Sequence, residues 1–266
     1  NLLSPDSSAL DPHGHRHARA VVEAMARPER LGAAEIVPGG RVGVARFPAD
    51  AQTASELLEA AQTARMGIPA NGEQVAIFTP ETRAAALRKL AVESGLRHAA
   101  ERGELSLSYQ LQADLTTGEI AGAQVIMNWT SQALGSVPGH EFVPIAMQTG
   151  LIVMLGDWKR EAVCQQLRAW EHAGVRVPRL CLRISQLEQQ QPDMVEKLRQ
   201  NLLANSLQAQ ALGIEISEQA LFNASPELVK TLNQLRGLGL EFSLGDFGAG
   251  STNLGLLRTL PVDVIK

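Results

Sequence analysis

From Leu105 onward the chain alternates short apolar runs with longer stretches of helical period. The segment SLSYQLQADLTTGEIAGAQVIMNW (106–129) predicts two strands joined by a turn at Thr116-Thr117-Gly118, with a further segment behind them. A helical stretch follows over 141–172, with interruptions near Gly150 and Gly156. Three apolar segments come next: LCLRIS, centred on 181–185, GIEIS at 213–217 and LEFSLGDF at 240–247. Each precedes a helical pattern, ending near Asn205, Arg236 and Leu260 respectively. The residues VDVIK begin another strand. Strands that are apolar nearly throughout, each followed by a helix, predict a parallel sheet covered on both faces. The fold class is therefore α/β, a TIM-like barrel or a doubly wound sheet. No glycine-rich phosphate loop follows any of these strands, which disfavours the dinucleotide-binding version.

The preceding region has a different character. Pro5, Asp6, Ser7 and Ser8 predict a turn or loose end, and His17–Ala26 a short helix. Pro28 and the pair Gly39-Gly40 break the chain. RVGVARFP (41–48) and QVAIF (74–78) predict strands. Between them Thr53 stands three residues before Glu56, which predicts a capping box opening a helix. Thr79-Pro80-Glu81 opens a long helix to about Arg102, with Leu87, Leu90, Ala91 and Leu96 on or near one face. It reads as a connection ending at Gly103. The expected organisation is a first domain over 1–80, a linker helix over 81–102 and a barrel-like domain over 103–266.

Composition narrows the function. The 266 residues carry a net charge of −4 and 4% aromatics, which argues against a nucleic-acid partner. Cys164 and Cys181 are the two cysteines, both in apolar stretches, and predict buried thiols in a reducing, cytoplasmic compartment. No apolar run is long enough to span a bilayer, so no membrane segment is expected in this chain. His13, His15 and His17 alternate near the start, but no carboxylate or cysteine cluster accompanies them, and they read as a solvated end, not a metal site.

Several predicted strands end in polar residues that burial alone would not select: Gln124 and Asn128, Arg183, Glu215 with Glu218, Asp246, and Lys266. An unpaired buried charge is costly, so these groups should converge on one another, on a ligand or on water. A satisfied ion-pair network without a ligand accounts for them equally well at this stage.

At these positions the sequence resembles the EAL-domain family of cyclic di-GMP phosphodiesterases. GELSLSYQLQADLTTGEIAGAQVIMNW resembles the family's opening "YQP…dl.tG.i.G.EALlRW". VPGHEFVPIAMQTGLI resembles "vsP.eFIPlAEetGLI", LRIS stands where the family has "vNiS", and IEISEQ where it has "lElTEs". LGDFGAGSTNLGLLRTLPVDVIK resembles "lDDFGtGysSL..L..lpvD.lKID". The resemblance runs from about residue 103 to Lys266 and implies a TIM-like (β/α) barrel of the EAL type, incomplete in this chain because the family barrel has further strand–helix units. The earlier segment RVGVARFPADAQTASELLEAAQTARM is similar to the second half of a GGDEF domain. The GGDEF signature is absent, and GIPANG lacks the lysine usual after this helix, so the first domain is an α+β remnant without cyclase activity.

Active EAL enzymes resemble other two-metal phosphodiesterases, in which a pair of cations activates water and offsets phosphate charge. The resemblance maps the family's metal ligands onto Gln124, Arg183, Glu215, Gly245 and Asp246, and its catalytic lysine onto Lys266. Gln124 has lost the negative charge, Gly245 the carboxylate, and Arg183 offers no lone pair at all. Asn128 replaces the arginine directed at the ligand phosphate, Gly139 a proline and Met147 a glutamate. Framework positions such as Tyr109, Trp129, Phe142 and Gly150 are retained. The expectation is a catalytically inactive domain with no magnesium or manganese cofactor and no metal site, in which Glu215, Asp246 and Lys266 are relics. Ligand-binding candidates are Gln124, Val125, Ile126, Asn128, Arg183, Glu215, Asp246 and Phe247. A protein partner is the leading expectation; as a nucleotide sensor the domain would also take cyclic di-GMP, as a scaffold it would take the protein alone, and an active phosphodiesterase is the least favoured reading. Arg183 is expected in the vacated metal position, in a bidentate pair with Glu215 and secondarily with Asp246.

Overall fold

The computed structural model describes residues 14–32, 34–68, 73–175, 177, 179–218, 226–248 and 262–266. The chain divides into two compact units, Asn1–Ala91 and Val92–Lys266.

The first unit opens with α1 (His15–Met25), followed by an antiparallel ribbon of β1 (Glu29–Leu31) and β2 (Ala34–Ile36). The ribbon lies between Pro28 and Gly39-Gly40, where the sequence pattern predicts only breaks. Then come β3 (Val42–Val44), α2 (Ala54–Met66) and β4 (Val75–Ile77), with β3 and β4 paired in parallel. The two strands are shorter than the predicted segments 41–48 and 74–78. The capping box forms: Glu56 N–H donates to Thr53 Oγ1 at 3.2 Å and Thr53 N–H to Glu56 Oε2 at 3.1 Å. Gly43 is required here, because a Cβ would lie 1.9 Å from the Ala61 carbonyl oxygen on α2.

Helix α3 (Pro80–Leu96) stops short of the expected Arg102 and continues as turns to Gly103. The division between the two units falls within it, after Ala91. Val92, Leu96 and Ala99 are fully buried in a core shared with Leu105, Trp129 and Phe142, so its end belongs to the second unit. Leu87 and Leu90 of the same helix are exposed.

Among the described residues, the second unit carries an α/β sheet of seven strands. In chain order these are β5 (Leu105–Ala113), β6 (Ile120–Ser131), β7 (Gly135–Val137), β8 (Leu180–Arg183), β9 (Leu212–Ser217), β10 (Glu241–Gly245) and β11 (Val264–Ile265). The spatial order is β11-β10-β9-β8-β6-β5, with β7 also on β6. Strands β5, β6 and β7 are antiparallel neighbours, whereas β6, β8, β9, β10 and β11 run parallel. The β5–β6 turn forms where expected: Asp114 Oδ1 accepts from the Thr116 and Thr117 amides at 2.8 and 2.9 Å, and Gly118 has φ 72°.

Helices α4 (Gly139–Thr149), α5 (Leu151–His172), α6 (Gln186–Gln189), α7 (Met194–Ala204) and α8 (Pro226–Gly237) complete the unit. The break at Gly150 is real, with φ 75° ending α4. The break expected at Gly156 is not: α5 passes through it without interruption. Glycine is needed there for contact, since a Cβ would stand 1.9 Å from Glu188 Oε1. The helical pattern expected up to Leu260 lies outside the described residues.

The two faces of the sheet differ in chemistry. Val125, Leu180, Leu182, Ile214, Ile216, Phe242 and Leu244 point to one face and form a core with Val163 and Leu167 of α5, Leu198 and Leu202 of α7 and Leu232 of α8. Cys181, Arg183, Gly213, Glu215, Ser243 and Gly245 alternate with them and point the other way. These residues are polar or small, and this is the face that carries the site.

Candidate functional site

Parallel register aligns the polar face across the sheet. Gln124 pairs with Cys181, Arg183 with Glu215, Glu215 with Ser243, and the chain leaves β11 directly into Lys266. Residues in register on adjacent strands point to the same side, so Lys266 reaches back over three strands. Its ammonium donates to Glu215 Oε2 at 2.9 Å and Gln124 Oε1 at 3.0 Å, and stands 3.3 Å from Cys181 Sγ. Gln112 Nε2 adds a second donor to Gln124 Oε1 at 3.3 Å. Cys181 Sγ is in turn 3.3 Å from Ser243 Oγ.

Arg183 is gathered into the same cluster, with a different first partner from the one expected. Its Nη2 makes a close hydrogen bond to Asp246 Oδ2, whereas its Nε is 3.8 Å from Glu215 Oε1, an ion pair without a hydrogen bond. The bidentate Arg183–Glu215 pair is therefore corrected. Glu215 is nearly buried, and the shorter, flexible ammonium of Lys266 reaches it from within the sheet face. The guanidinium extends past it to the strand ends, where Asp246 waits in a left-handed conformation with φ 59°. That conformation is tolerated best by Asp, Asn and Gly.

Gly245 shapes this arrangement. A Cβ there would stand 2.7 Å from Glu215 Oε1 and 2.9 Å from its Cδ. The Glu215 carboxylate thus occupies the space that a side chain at 245 would need.

The remaining candidates separate by strand parity. Ile126 and Asn128 share the face of Gln124 and are exposed. Asn128 Nδ2 donates to Ser108 Oγ at 2.9 Å. Val125 does not belong to the site: its side chain is 6% exposed and lies in the helix-covered core, because neighbours along a strand face opposite sides. Phe247 packs partly against that core, and its amide donates to the Lys266 carbonyl at 3.1 Å. Glu218 Oε2 accepts from the Gly248 amide at 2.9 Å.

Sequence reading missed Cys181, Ser243 and Gln112, whose types are unremarkable in a strand. It also missed Lys159 on α5, whose ammonium donates to the Arg183 carbonyl at 2.6 Å from a buried position. Burial holds this lysine below the usual ammonium range, against the raising effect of Glu188. Among the described residues, no three His, Cys, Asp or Glu side chains gather as a metal-binding group. His15 and His17 lie on α1, and His13 lies outside the described residues. Among the described residues no helix is long and apolar enough to cross a membrane.

Polar groups at the carboxyl ends of parallel strands are the usual placement of sites in such folds. The EAL domain family profile matches residues 93–266. The chain belongs to the EAL-domain family. Among curated proteins it is 29% identical over 250 residues to the bifunctional diguanylate cyclase/cyclic di-GMP phosphodiesterase MucR of Pseudomonas aeruginosa, covering 94% of this chain and 36% of that protein. It is 27% identical over 250 residues to the cyclic di-GMP phosphodiesterase PdeR of Escherichia coli K12, covering 94% of this chain and 38% of that protein. The chain thus spans little more than a third of these relatives. Among solved structures, the MucR phosphodiesterase in complex with c-di-GMP superposes with a TM-score of 0.62 at 30% identity, over 66% of this chain and 71% of that one. The FimX EAL domain of Xanthomonas citri, in complex with c-di-GMP, superposes at 0.58 with 20% identity over 66% of this chain and 67% of that one, a likeness of fold. As an EAL domain, the second unit carries its polar cluster at the positions where sequence reading aligned the family's metal ligands.

Proposed function

We propose that this EAL domain is a catalytically inactive part of a cyclic di-GMP signalling protein, a nucleotide sensor or regulatory scaffold that works without metal. The observation that carries the reading is the Lys266 ammonium, 2.9 Å from Glu215 and 3.0 Å from Gln124. Magnesium demands near-octahedral coordination by oxygen donors, and a pair of such ions demands several carboxylates. Here the two carboxylates, Glu215 and Asp246, already accept from tethered cations. Gln124 supplies only an amide oxygen, itself engaged twice, and residue 245 has no side chain. These residues do not fit a metal pair.

Binding is the function left to such a site. Arg183 is half exposed and offers donors that suit a phosphodiester. Gln124, Ile126, Asn128 and Arg183 share the polar face of the sheet, and Arg183 holds Asp246 at its edge. MucR is named as a cyclic di-GMP enzyme and both superposed structures are complexes with c-di-GMP, which supports it as the ligand class. A second reading, a protein-interaction scaffold without nucleotide, is favoured by one contact: the Asn128 amide is turned onto Ser108, and no cation stands at that position. On either reading the first unit is the second half of a GGDEF-like domain, supported by its β3–α2–β4 order and capping box.

Calorimetric titration with cyclic di-GMP, with and without magnesium at moderate salt, tests the proposal. Metal-independent binding is the expected result. No heat and no thermal shift at high ligand concentration would select the scaffold. Release of linear pGpG dependent on magnesium or manganese would overturn both.

A further inference from the structure

Three consecutive residues at the exit of β8 are gripped by side chains from the helices. The Arg183 carbonyl accepts from the Lys159 ammonium at 2.6 Å. The Ile184 carbonyl accepts from Gln189 Nε2 at 3.0 Å. The Ser185 amide and hydroxyl donate to Glu188 Oε2 at 2.8 and 2.7 Å. Glu188 is held by Arg160 Nη1 at 2.7 Å, with both side chains 1% exposed. The grip extends outward, since Arg160 also donates to Asp157, and Asp157 accepts from Lys197 on α7 at 2.8 Å.

This framework is costly to build. Lys159 and Arg160 are adjacent cations, both buried, and an ammonium out of water loses strong hydration. An apolar residue at 159 would fill the same space without that loss. The ammonium is spent on a backbone carbonyl, and that carbonyl belongs to the residue whose side chain pairs with Asp246. Arg183 is half exposed on a long, flexible stem, so its reach to Asp246 depends on where its backbone is fixed.

We propose that Lys159 is a positioning residue for the site: by pinning the Arg183 carbonyl, it holds the guanidinium over Asp246. The inference rests on Arg183 as the tethered cation of the site, as proposed above, but its test uses no nucleotide. A failed titration and a failed positioning role are therefore separable.

The experiment is Lys159→Met in the full chain, read by the NMR signal of the Arg183 Nη2–H group that bonds Asp246, assigned with Arg183→Lys. In the native protein the signal is expected to be displaced from the free-arginine position and to exchange slowly, because Nη2–H is bonded to Asp246. In Lys159→Met it is expected to move to the free position and to exchange several-fold faster in a still folded protein. An unchanged Arg183 signal with only a lowered melting temperature would overturn the proposal, because a purely structural lysine would do that. Coupling is reciprocal, so a second reading covers a variant that fails to fold. In Asp246→Asn, a substitution at an exposed position, the protected ammonium signal of Lys159 is expected to shift. If it does not, the proposal falls.

Discussion

Glu215 and Asp246 are carboxylates in the same cluster with opposite surroundings. Glu215 is 6% exposed, and its closest partner is Lys266, whose side chain is 25% exposed. Asp246 and Arg183 are both more than half or about half exposed. The two pairs should respond differently to truncation. Lys266→Met strands a buried carboxylate and is expected to cost about 2–4 kcal/mol, below the ~3–5 of a fully buried pair because Lys266 retains some solvent contact. Arg183→Ala loses a solvated pair and should cost about 0–1 kcal/mol. Urea unfolding of both variants measures the order. A larger loss for Arg183→Ala would mean that the guanidinium, not the ammonium, neutralises Glu215.

At the scale of elements, α5 is the organising piece. One side supplies Val163 and Leu167 to the sheet core, and its first turns carry Gly156, Lys159 and Arg160 toward the β8 exit. Replacing a helical glycine by alanine ordinarily gains about 1 kcal/mol. Gly156→Ala is expected to do the reverse, because the new Cβ meets Glu188 Oε1 at 1.9 Å and forces it from Arg160. Breaking that buried pair should cost about 3–5 kcal/mol, read as a lower denaturation midpoint. Cys164 on the same helix is also buried, which pushes its thiol up to about 11 from 9.0. Between those values the unfolded chain has released a proton that the native chain retains. This contribution to stability is therefore present below pH 9 and is lost as pH rises toward 11. Denaturation midpoints of wild type and Cys164→Ala across that range should converge as pH rises. For the same reason the native thiol should react slowly with disulfide reagents at pH 8.

For the whole molecule, the proposed function predicts indifference to divalent cations. A ligand that binds only the native state raises the melting temperature by mass action, by about 2.7 kcal/mol of stability at a hundredfold excess over Kd. With Glu215 and Asp246 already paired, magnesium at millimolar concentration is expected to leave the melting temperature unchanged. Cyclic di-GMP is expected to raise it in the presence or absence of magnesium.

The sequence by itself determined the α/β class, the EAL family, the β5–β6 turn, the Thr53 capping box and the set Gln124, Arg183, Glu215, Asp246 and Lys266. These depend on local period, turn chemistry and residue type, which a linear pattern carries. Other features were decided only by tertiary structure. Whether Arg183 or Lys266 takes Glu215 depends on the register of β8, β9 and β11, since one residue of register sets the face of every side chain. Val125 left the site by that rule, although its neighbour Gln124 stayed. The roles of Gly156 and Gly245 depend on carboxylates 32 and 30 positions away in the chain, Glu188 and Glu215. No local pattern distinguishes such a glycine from a helix breaker or a lost ligand. Lys159 was hidden for the same reason: a lysine in a helix ordinarily faces water, and only the packing of α5 on β8 turns this one onto a backbone carbonyl.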